Sequence, residues 1–186
     1  PSHFEMPFHL ATEYNGFMDR RCIDFFVKFA TTCVARYKGK VKYWMTFNEI
    51  NNQAEWHQMG AHHMIQEGAV LVKPGDDMEK MMYTSAHHEL VASAKAIKAC
   101  HEIDPDCQMG CMLGMNGVYP YSANPVDVMN AEKAMQQKYY YVFVHARGHY
   151  PTWMLNKFER KGYDFILEED IKTLAEGTVA YIGFSY

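Results

Sequence analysis

The hydrophobic pattern divides the chain into amphipathic helices and short apolar strands. Apolar residues recur every three or four positions in residues 20–38 and 78–102, which is the period of a helix with one buried face. Three further helices are predicted at residues 127–144, at 151–161 after Pro151, and at 168–176, which is rich in acids at its start. Three shorter runs are apolar along their length, and we predict them to be strands. They are residues 41–47, 108–113 and 180–185.

Helices and strands alternate along the chain, which favours a parallel sheet covered by helices on both faces. Residues 50–77 show no clear period. No internal repeat or linker marks a boundary, so residues 1–186 are predicted to form a single α/β domain. The buried stripe of the second helix is predicted to be Met82, Ala86, Leu90, Ala94 and Ile97.

Composition and charge narrow the functional classes. The net charge is −4, which gives no reason to expect nucleic acid as a partner. No apolar run is long enough to span a membrane. The five cysteines include no CxxC pair, and we expect them to be reduced thiols in a cytoplasmic protein.

Ten histidines raise the question of a metal site. The members of each pair His62-His63 and His87-His88 are adjacent, so their side chains point in divergent directions. The segment "HHEL" also lacks the HExxH spacing. We therefore expect no metal and no other cofactor. His88 and Glu89 are predicted to face the helix surface or to pack at the edge of the fold.

The first predicted strand ends in an amide and a carboxylate, Asn48 and Glu49. In parallel α/β sheets, functional side chains collect at the carboxyl ends of the strands. Glu49 could act there as a general acid, and Asn48 offers both a donor and an acceptor to a sugar hydroxyl. The alternative is that the two residues only cap the following segment. The spacing alone does not decide between these interpretations.

Several segments resemble glycoside hydrolase family 1. "TFNE" resembles the family's acid/base motif, "SHFEMP" its His-aromatic-acid-x-Pro motif, and "YIGFSY" the strand before a tyrosine pair. "RYKGKVKYWMTFNEINNQ" and "HHELVASAKAIKACHEIDPDCQMGCM" are similar to the 6-phospho-β-glucosidase branch of that family. The resemblance covers essentially the whole chain, in order.

The resemblance implies a (β/α)8 barrel of the triosephosphate isomerase type and retaining hydrolysis of 6-phospho-β-glucosides. Such a barrel needs about 200 residues or more. The chain is therefore expected to be the central part of one, from the end of the third strand to the sixth. The implied substrate is a small molecule, a phosphorylated disaccharide or an aryl glucoside. An exposed edge of an incomplete barrel would favour a homo-oligomer.

The resemblance also implies roles for single residues. Glu49 matches the general acid/base, Asn48 matches a residue that contacts the sugar 2-hydroxyl, and His3 matches a histidine that contacts the glycone. Ser185 stands where many relatives carry Asn, and Tyr186 corresponds to the first tyrosine of the pair.

The family's second catalytic carboxylate has no counterpart in this sequence. A retaining glycosidase needs two carboxyl groups about 5 Å apart. The family's nucleophile lies in a Thr-Glu-Asn-Gly type motif, which does not occur in these 186 residues, and Glu5 does not match it. The phosphate-binding residues are also expected later in the family's barrel. We therefore expect the isolated chain to be inactive, and the alternative function is a catalytically silent, incomplete barrel with a structural or binding role.

Overall fold

The computed structural model describes residues 5–58, 64–65 and 67–185, and it shows an α/β fold. All five predicted helices and all three predicted strands are present, with their ends shifted by a few residues. The helices are α1 (Phe8–Tyr14), α2 (Arg21–Tyr37), α3 (Met78–Ile103), α4 (Pro125–Arg147), α5 (Thr152–Lys161) and α6 (Glu168–Glu176). The strands are β1 (Tyr43–Asn48), β2 (Met64–Ile65), β3 (Val70–Leu71), β4 (Gln108–Gly114) and β5 (Tyr181–Ser185).

Strands β1, β4 and β5 form one parallel sheet with β4 in the middle. Gly110 of β4 pairs with Met45 on one side and with Tyr181 on the other. The register shifts between Met45 and Asn48, so β1 is irregular just before it ends. Because the strands are parallel, their carboxyl ends lie at the same edge of the sheet.

Helix α3 lies at the centre of the hydrophobic core. Its predicted buried stripe is confirmed, since every member is between 0% and 3% exposed. The helix packs against α2, α6 and β1, and also against the 3₁₀ helix Ile50–Gln58 that follows β1. These neighbours cover α3 on several sides, so some of its polar residues, such as Ser85, His87 and Ser93, are buried along with its apolar ones.

The prediction for His88 and Glu89 is wrong for this reason. His88 is 4% exposed and Glu89 is 0% exposed, so neither faces the helix surface. The Nδ1 atom of His88 lies 2.6 Å from the carbonyl oxygen of Phe17. Burial lowers the pKa of His88 to about 4, so this ring is neutral in the folded protein at neutral pH.

Local hydrogen bonds explain where the longest helices begin and end. Asp77 accepts a hydrogen bond from the backbone N–H of Lys80 at 2.9 Å, which caps α3. Asn124 caps α4 in the same way, and Pro125 occupies the first helical position. Helix α4 stops at Gly148, whose φ of +72° is a left-handed conformation that glycine adopts easily.

The short elements leave no clear pattern in the sequence. Helix α1 contains no buried residue, and Phe8 is 82% exposed, so it has no apolar stripe to detect. Strands β2 and β3 pair as an antiparallel hairpin of only two residues each. Both lie, with the 3₁₀ helix Ile50–Gln58, in the region 50–77 where no period is visible. His62 and His63 lie outside the described residues.

Within the described ranges, no helix is both long and apolar enough to cross a membrane. The same ranges contain no group of three or more His, Cys, Asp or Glu side chains placed to hold a metal ion. All five cysteines are free thiols, and four of them are buried.

Candidate active site at the carboxyl ends of the strands

Glu49 lies at the carboxyl end of β1, where the sequence places a candidate general acid. The buried residues Thr46 and Phe47 anchor the strand just before it. The backbone N–H of Glu49 donates to the carbonyl oxygen of Met112 on β4 at 2.9 Å, which continues the β1–β4 pairing by one residue. Glu49 has a φ of +50°, so the chain turns sharply there and leaves the strand direction.

The Glu49 carboxylate receives one hydrogen bond on each oxygen. The hydroxyl of Ser185, at the end of β5, donates to Oε1. The side-chain amide of Asn52 donates to Oε2 at 3.1 Å. Residues from the ends of β1 and β5 therefore meet over the end of the central strand. The Glu49 side chain is half-buried.

Gly114, the last residue of β4, leaves the space that this meeting requires. A Cβ atom at position 114 would lie 2.8 Å from Oδ1 of Asn52 and 3.5 Å from Cδ of Glu49. The shorter distance is below ordinary van der Waals contact, so an alanine there would push Asn52 away. The absence of a side chain at Gly114 is therefore part of the site.

Asn51 joins the segment after Glu49 to the sheet. Its side-chain amide donates to the carbonyl oxygen of Gly114 at 2.8 Å, and its Oδ1 accepts from the backbone N–H of Gly114 at 3.0 Å. Asn51 is 1% exposed, so these bonds are shielded from water. The side chain thus replaces a backbone peptide and extends the ladder beyond the turn.

Of the other predicted site residues, the structure describes Asn48 but not His3. Asn48 is the last residue of β1, is half-buried and stands opposite Met112 in the sheet. It lies directly beside Glu49, as the sequence requires. His3 and Tyr186 lie outside the described residues. The roles of Glu49, Asn48 and His3 stay predictions.

The sequence does not mark Asn51, Asn52 or Gly114 as residues of the site. A signal was present, because three amide residues in a row, Asn51 to Gln53, follow Glu49 directly. In the sequence, Ser185 stands out only because many relatives carry Asn there. The structure gives it a specific contact, since its hydroxyl reaches the Glu49 carboxylate.

The arrangement suits proton transfer. Both groups that donate to Glu49 are uncharged, one hydroxyl and one amide. They fix the plane of the carboxyl group without forming an ion pair with it. A carboxyl group held in this way can donate a proton to one bound group and later accept a proton from another. Ordinary sugar hydroxyls near Asn48 would find both a donor and an acceptor.

Comparison with known proteins places these residues in a family context. The model for Glycosyl hydrolase family 1 matches residues 2–186. The aryl-phospho-β-D-glucosidase BglA of Bacillus subtilis is 50% identical over 186 residues, which is all of this chain and 38% of that protein. The 6-phospho-β-glucosidase AscB of Escherichia coli is 37% identical over 184 residues, or 99% of this chain and 37% of that protein. The chain thus spans somewhat over a third of the length of these curated relatives.

Solved structures agree on the fold. The virulence factor SghA, solved with its substrate analog salicin, matches all of this chain and 38% of its own, with a TM-score of 0.79 and 21% identity. The family 1 β-glucosidase of Thermotoga maritima matches 98% of this chain and 39% of its own, with a TM-score of 0.76 and 23% identity. The predicted fold class, part of a (β/α)8 barrel, is confirmed.

Proposed function

Since the chain belongs to glycosyl hydrolase family 1, we propose that it supplies the general acid/base of a retaining β-glycosidase that hydrolyses 6-phospho-β-glucosides. Glu49 is the acid/base. It protonates the glycosidic oxygen in the first step and deprotonates a water molecule in the second. Asn48 binds the sugar 2-hydroxyl, and His3 binds the glycone.

One observation carries the acid/base assignment. The Glu49 carboxylate lies where the carboxyl ends of the strands meet, and it is held by Ser185 from β5 and by Asn52. Active sites of (β/α)8 barrels are built at this end of the strands. The alternative, that Glu49 only caps the following segment, explains its backbone bond to Asn52 but not the converging side chains.

The choice of a phosphorylated substrate rests on the relatives. The two relatives described above are named as phospho-β-glucosidases, and they match this chain at 50% and 37% identity. The residues that bind the phosphate are expected outside this chain. Lys40 and Lys42 are exposed and precede β1, so they lie at the opposite end of that strand from Glu49. They do not serve the phosphate in this proposal.

The proposal also covers the domain organisation and the cellular compartment. Residues 1–186 form a single partial-barrel domain, which is supported by one shared sheet and by a core centred on α3. We place the protein in the cytoplasm, because five free thiols are typical of a reducing compartment.

Self-association into a homo-oligomer is part of the proposal. Strand β5 is an edge strand among the described residues, and Ile182 and Phe184 on it are 40% and 58% exposed. Such an edge favours pairing with a further strand, and for the isolated chain we propose a second copy as the occupant; in a complete barrel the next strand would take this place. Sedimentation velocity of the isolated chain over a range of concentrations would give its oligomeric state, and a monomer throughout would contradict this part.

The acid/base role is tested by Glu49→Gln in the complete gene product that contains this sequence. We expect kcat/KM to fall by about 10²-fold or more for a 6-phospho-β-glucoside with an alkyl leaving group, since general acid catalysis contributes roughly that much. A 4-nitrophenyl leaving group needs little protonation, so its kcat/KM should change much less. Glu13→Gln, in the exposed helix α1, is the matched control and should behave like the wild type. An equal, small loss on both substrates would show that Glu49 is only structural.

A further inference from the structure

Glu89 is a carboxylic acid in the interior of the protein, and the proposed mechanism does not use it. It lies on α3 and is 0% exposed. Its Oε2 atom accepts a hydrogen bond from the side-chain amide of Gln53 at 2.5 Å. Its Oε1 atom has no hydrogen-bond partner within the described part of the chain. Burying a carboxyl group costs free energy unless hydrogen bonds compensate for the lost hydration.

Gln53 belongs to the segment that leaves the candidate active site. It is 0% exposed and lies four residues after Glu49, in the 3₁₀ helix Ile50–Gln58. The same segment is tied to the sheet by the two hydrogen bonds between Asn51 and Gly114. It is therefore held on the sheet side by Asn51 and on the α3 side by Gln53. Asn52, which lies between these two anchors, donates to the Glu49 carboxylate.

We propose that Glu89 is a positioning residue for the reaction, which acts through Gln53 to fix the segment that orients the Glu49 carboxyl group. The inference rests on the proposed acid/base role of Glu49. Without the bond from Gln53 to Glu89, the segment loses its side-chain hydrogen bond to α3, although the hydrogen bonds of Asn51 to β4 remain. Asn52 then no longer has a fixed position from which to hold the carboxyl plane. A displacement of about 1 Å at a catalytic group can cost about 10²-fold in rate.

The chemistry of the pair determines which substitutions preserve it. Burial raises the pKa of Glu89 well above its usual range; the Gln53 hydrogen bond opposes this effect, and the nearby Glu67 adds to it. Burial thus favours the uncharged form of this acid, which has one hydroxyl donor and one carbonyl acceptor. The Oε1 atom of Gln53 is buried and has no hydrogen-bond partner within the described ranges. An acid and an amide can pair through both of their edges, and so can two amides.

The experiment uses three substitutions in the complete gene product that contains this sequence. Glu89→Gln keeps one donor and one acceptor at the same reach and should retain activity within about threefold. Glu89→Asp shortens the side chain by one methylene and withdraws the acceptor from Gln53. Glu89→Leu removes it. Each variant is assayed for kcat/KM on a 6-phospho-β-glucoside with an alkyl leaving group and on its 4-nitrophenyl counterpart.

We expect Glu89→Asp and Glu89→Leu to lose about 10-fold or more on the alkyl substrate and less than about threefold on the 4-nitrophenyl substrate. The larger loss on the alkyl substrate is the same kind of difference that we expect for Glu49→Gln, but smaller. Cys100→Ala is the matched control for a weakened α3. Cys100 is also 0% exposed on that helix, but it packs in the separate cluster with Val34 and Met109. Any loss of kcat/KM in Cys100→Ala should be equal on the two substrates.

The outcomes separate this inference from the proposed function. If Glu49→Gln shows the leaving-group split and the Glu89 variants instead show equal losses on both substrates, Glu89 is structural and the inference is overturned. If Glu49→Gln itself shows no split, the acid/base assignment fails first. Where Glu89→Leu does not fold, Glu89→Asp carries the test. A tenfold loss in Glu89→Gln would also overturn the inference, because that substitution preserves the pairing.

Discussion

His145 should make the fold sensitive to acid, and the effect can be calculated from its environment. The residue lies on α4, is 6% exposed, and its Nδ1 atom is 3.4 Å from the hydroxyl of Ser93. Burial lowers its pKa from 6.5 to about 4. Below pH 6.5 the unfolded chain therefore binds a proton that the native state does not bind. The contribution of His145 to stability is present above its ordinary pKa and is lost as the pH falls toward the folded value.

The magnitude follows from the difference between the two pKa values. One pH unit corresponds to about 1.4 kcal/mol, and pH 5 lies about 1.5 units below the ordinary pKa. His145 alone should therefore lower the free energy of unfolding by about 2 kcal/mol between pH 7 and pH 5. His88, whose pKa is lowered to about 4, should act in the same direction.

The assay is urea unfolding, followed by tryptophan fluorescence, at pH 7 and at pH 5. The quantity compared is the loss of unfolding free energy between these two pH values, measured separately for each variant of the complete gene product. His145→Gln should show a loss smaller than that of the wild type by about 2 kcal/mol. His149→Gln, an exposed residue that follows the end of the same helix, should not change the loss. Equal losses in all three proteins would mean that His145 takes up its proton in the folded state, and the reasoning would be refuted.

Further predictions concern activity and the buried charges. The isolated 186-residue chain should show no turnover of a chromogenic 6-phospho-β-glucoside, because the family's second carboxylate is missing from it; turnover abolished by Glu49→Gln would contradict this. In the complete gene product, His3→Ala and Asn48→Ala should lower kcat/KM on the phosphorylated and the plain glucoside by similar factors. A tenfold change in the ratio of the two kcat/KM values, about 1.4 kcal/mol, would show that this segment is coupled to the phosphate site. Asp170→Asn should cost about 3 kcal/mol in thermal unfolding measurements, since Asp170 is 1% exposed and bonded to Arg20 at 2.7 and 3.0 Å. A loss below 1 kcal/mol would show that this pair is not important for stability.

The sequence predicts the large elements well, because their burial follows a simple period. The stripe from Met82 to Ile97 repeats every three or four residues, and the structure buries it completely. The sheet follows from three short apolar runs separated by helices. These features depend on many residues that agree with one another, so small local exceptions do not disturb the prediction.

The parts that the sequence does not predict depend on single contacts between distant positions. The sequence favours a surface position for Glu89 because a carboxylate is rarely buried. Its contact with Gln53 appears only once the segment 50–58 has packed against α3. The role of Gly114 is invisible without the position of Asn52, which lies 62 residues earlier in the chain. Helix α1 is not predicted for a different reason, since a helix without a buried face leaves no periodic pattern in the sequence.

The left-handed backbone of Glu49 has a consequence for selection experiments. A residue other than glycine with a φ of +50° holds a conformation that costs about 1 kcal/mol or more, and glycine adopts it freely. Glu49→Gly should therefore fold better than Glu49→Ala. A library at position 49 screened only for folding or expression would enrich glycine, whereas a library screened for hydrolysis would retain glutamate. The two screens are therefore expected to select different residues at this position. Such a difference would show that glutamate at position 49 lowers the stability of the fold but is needed for hydrolysis.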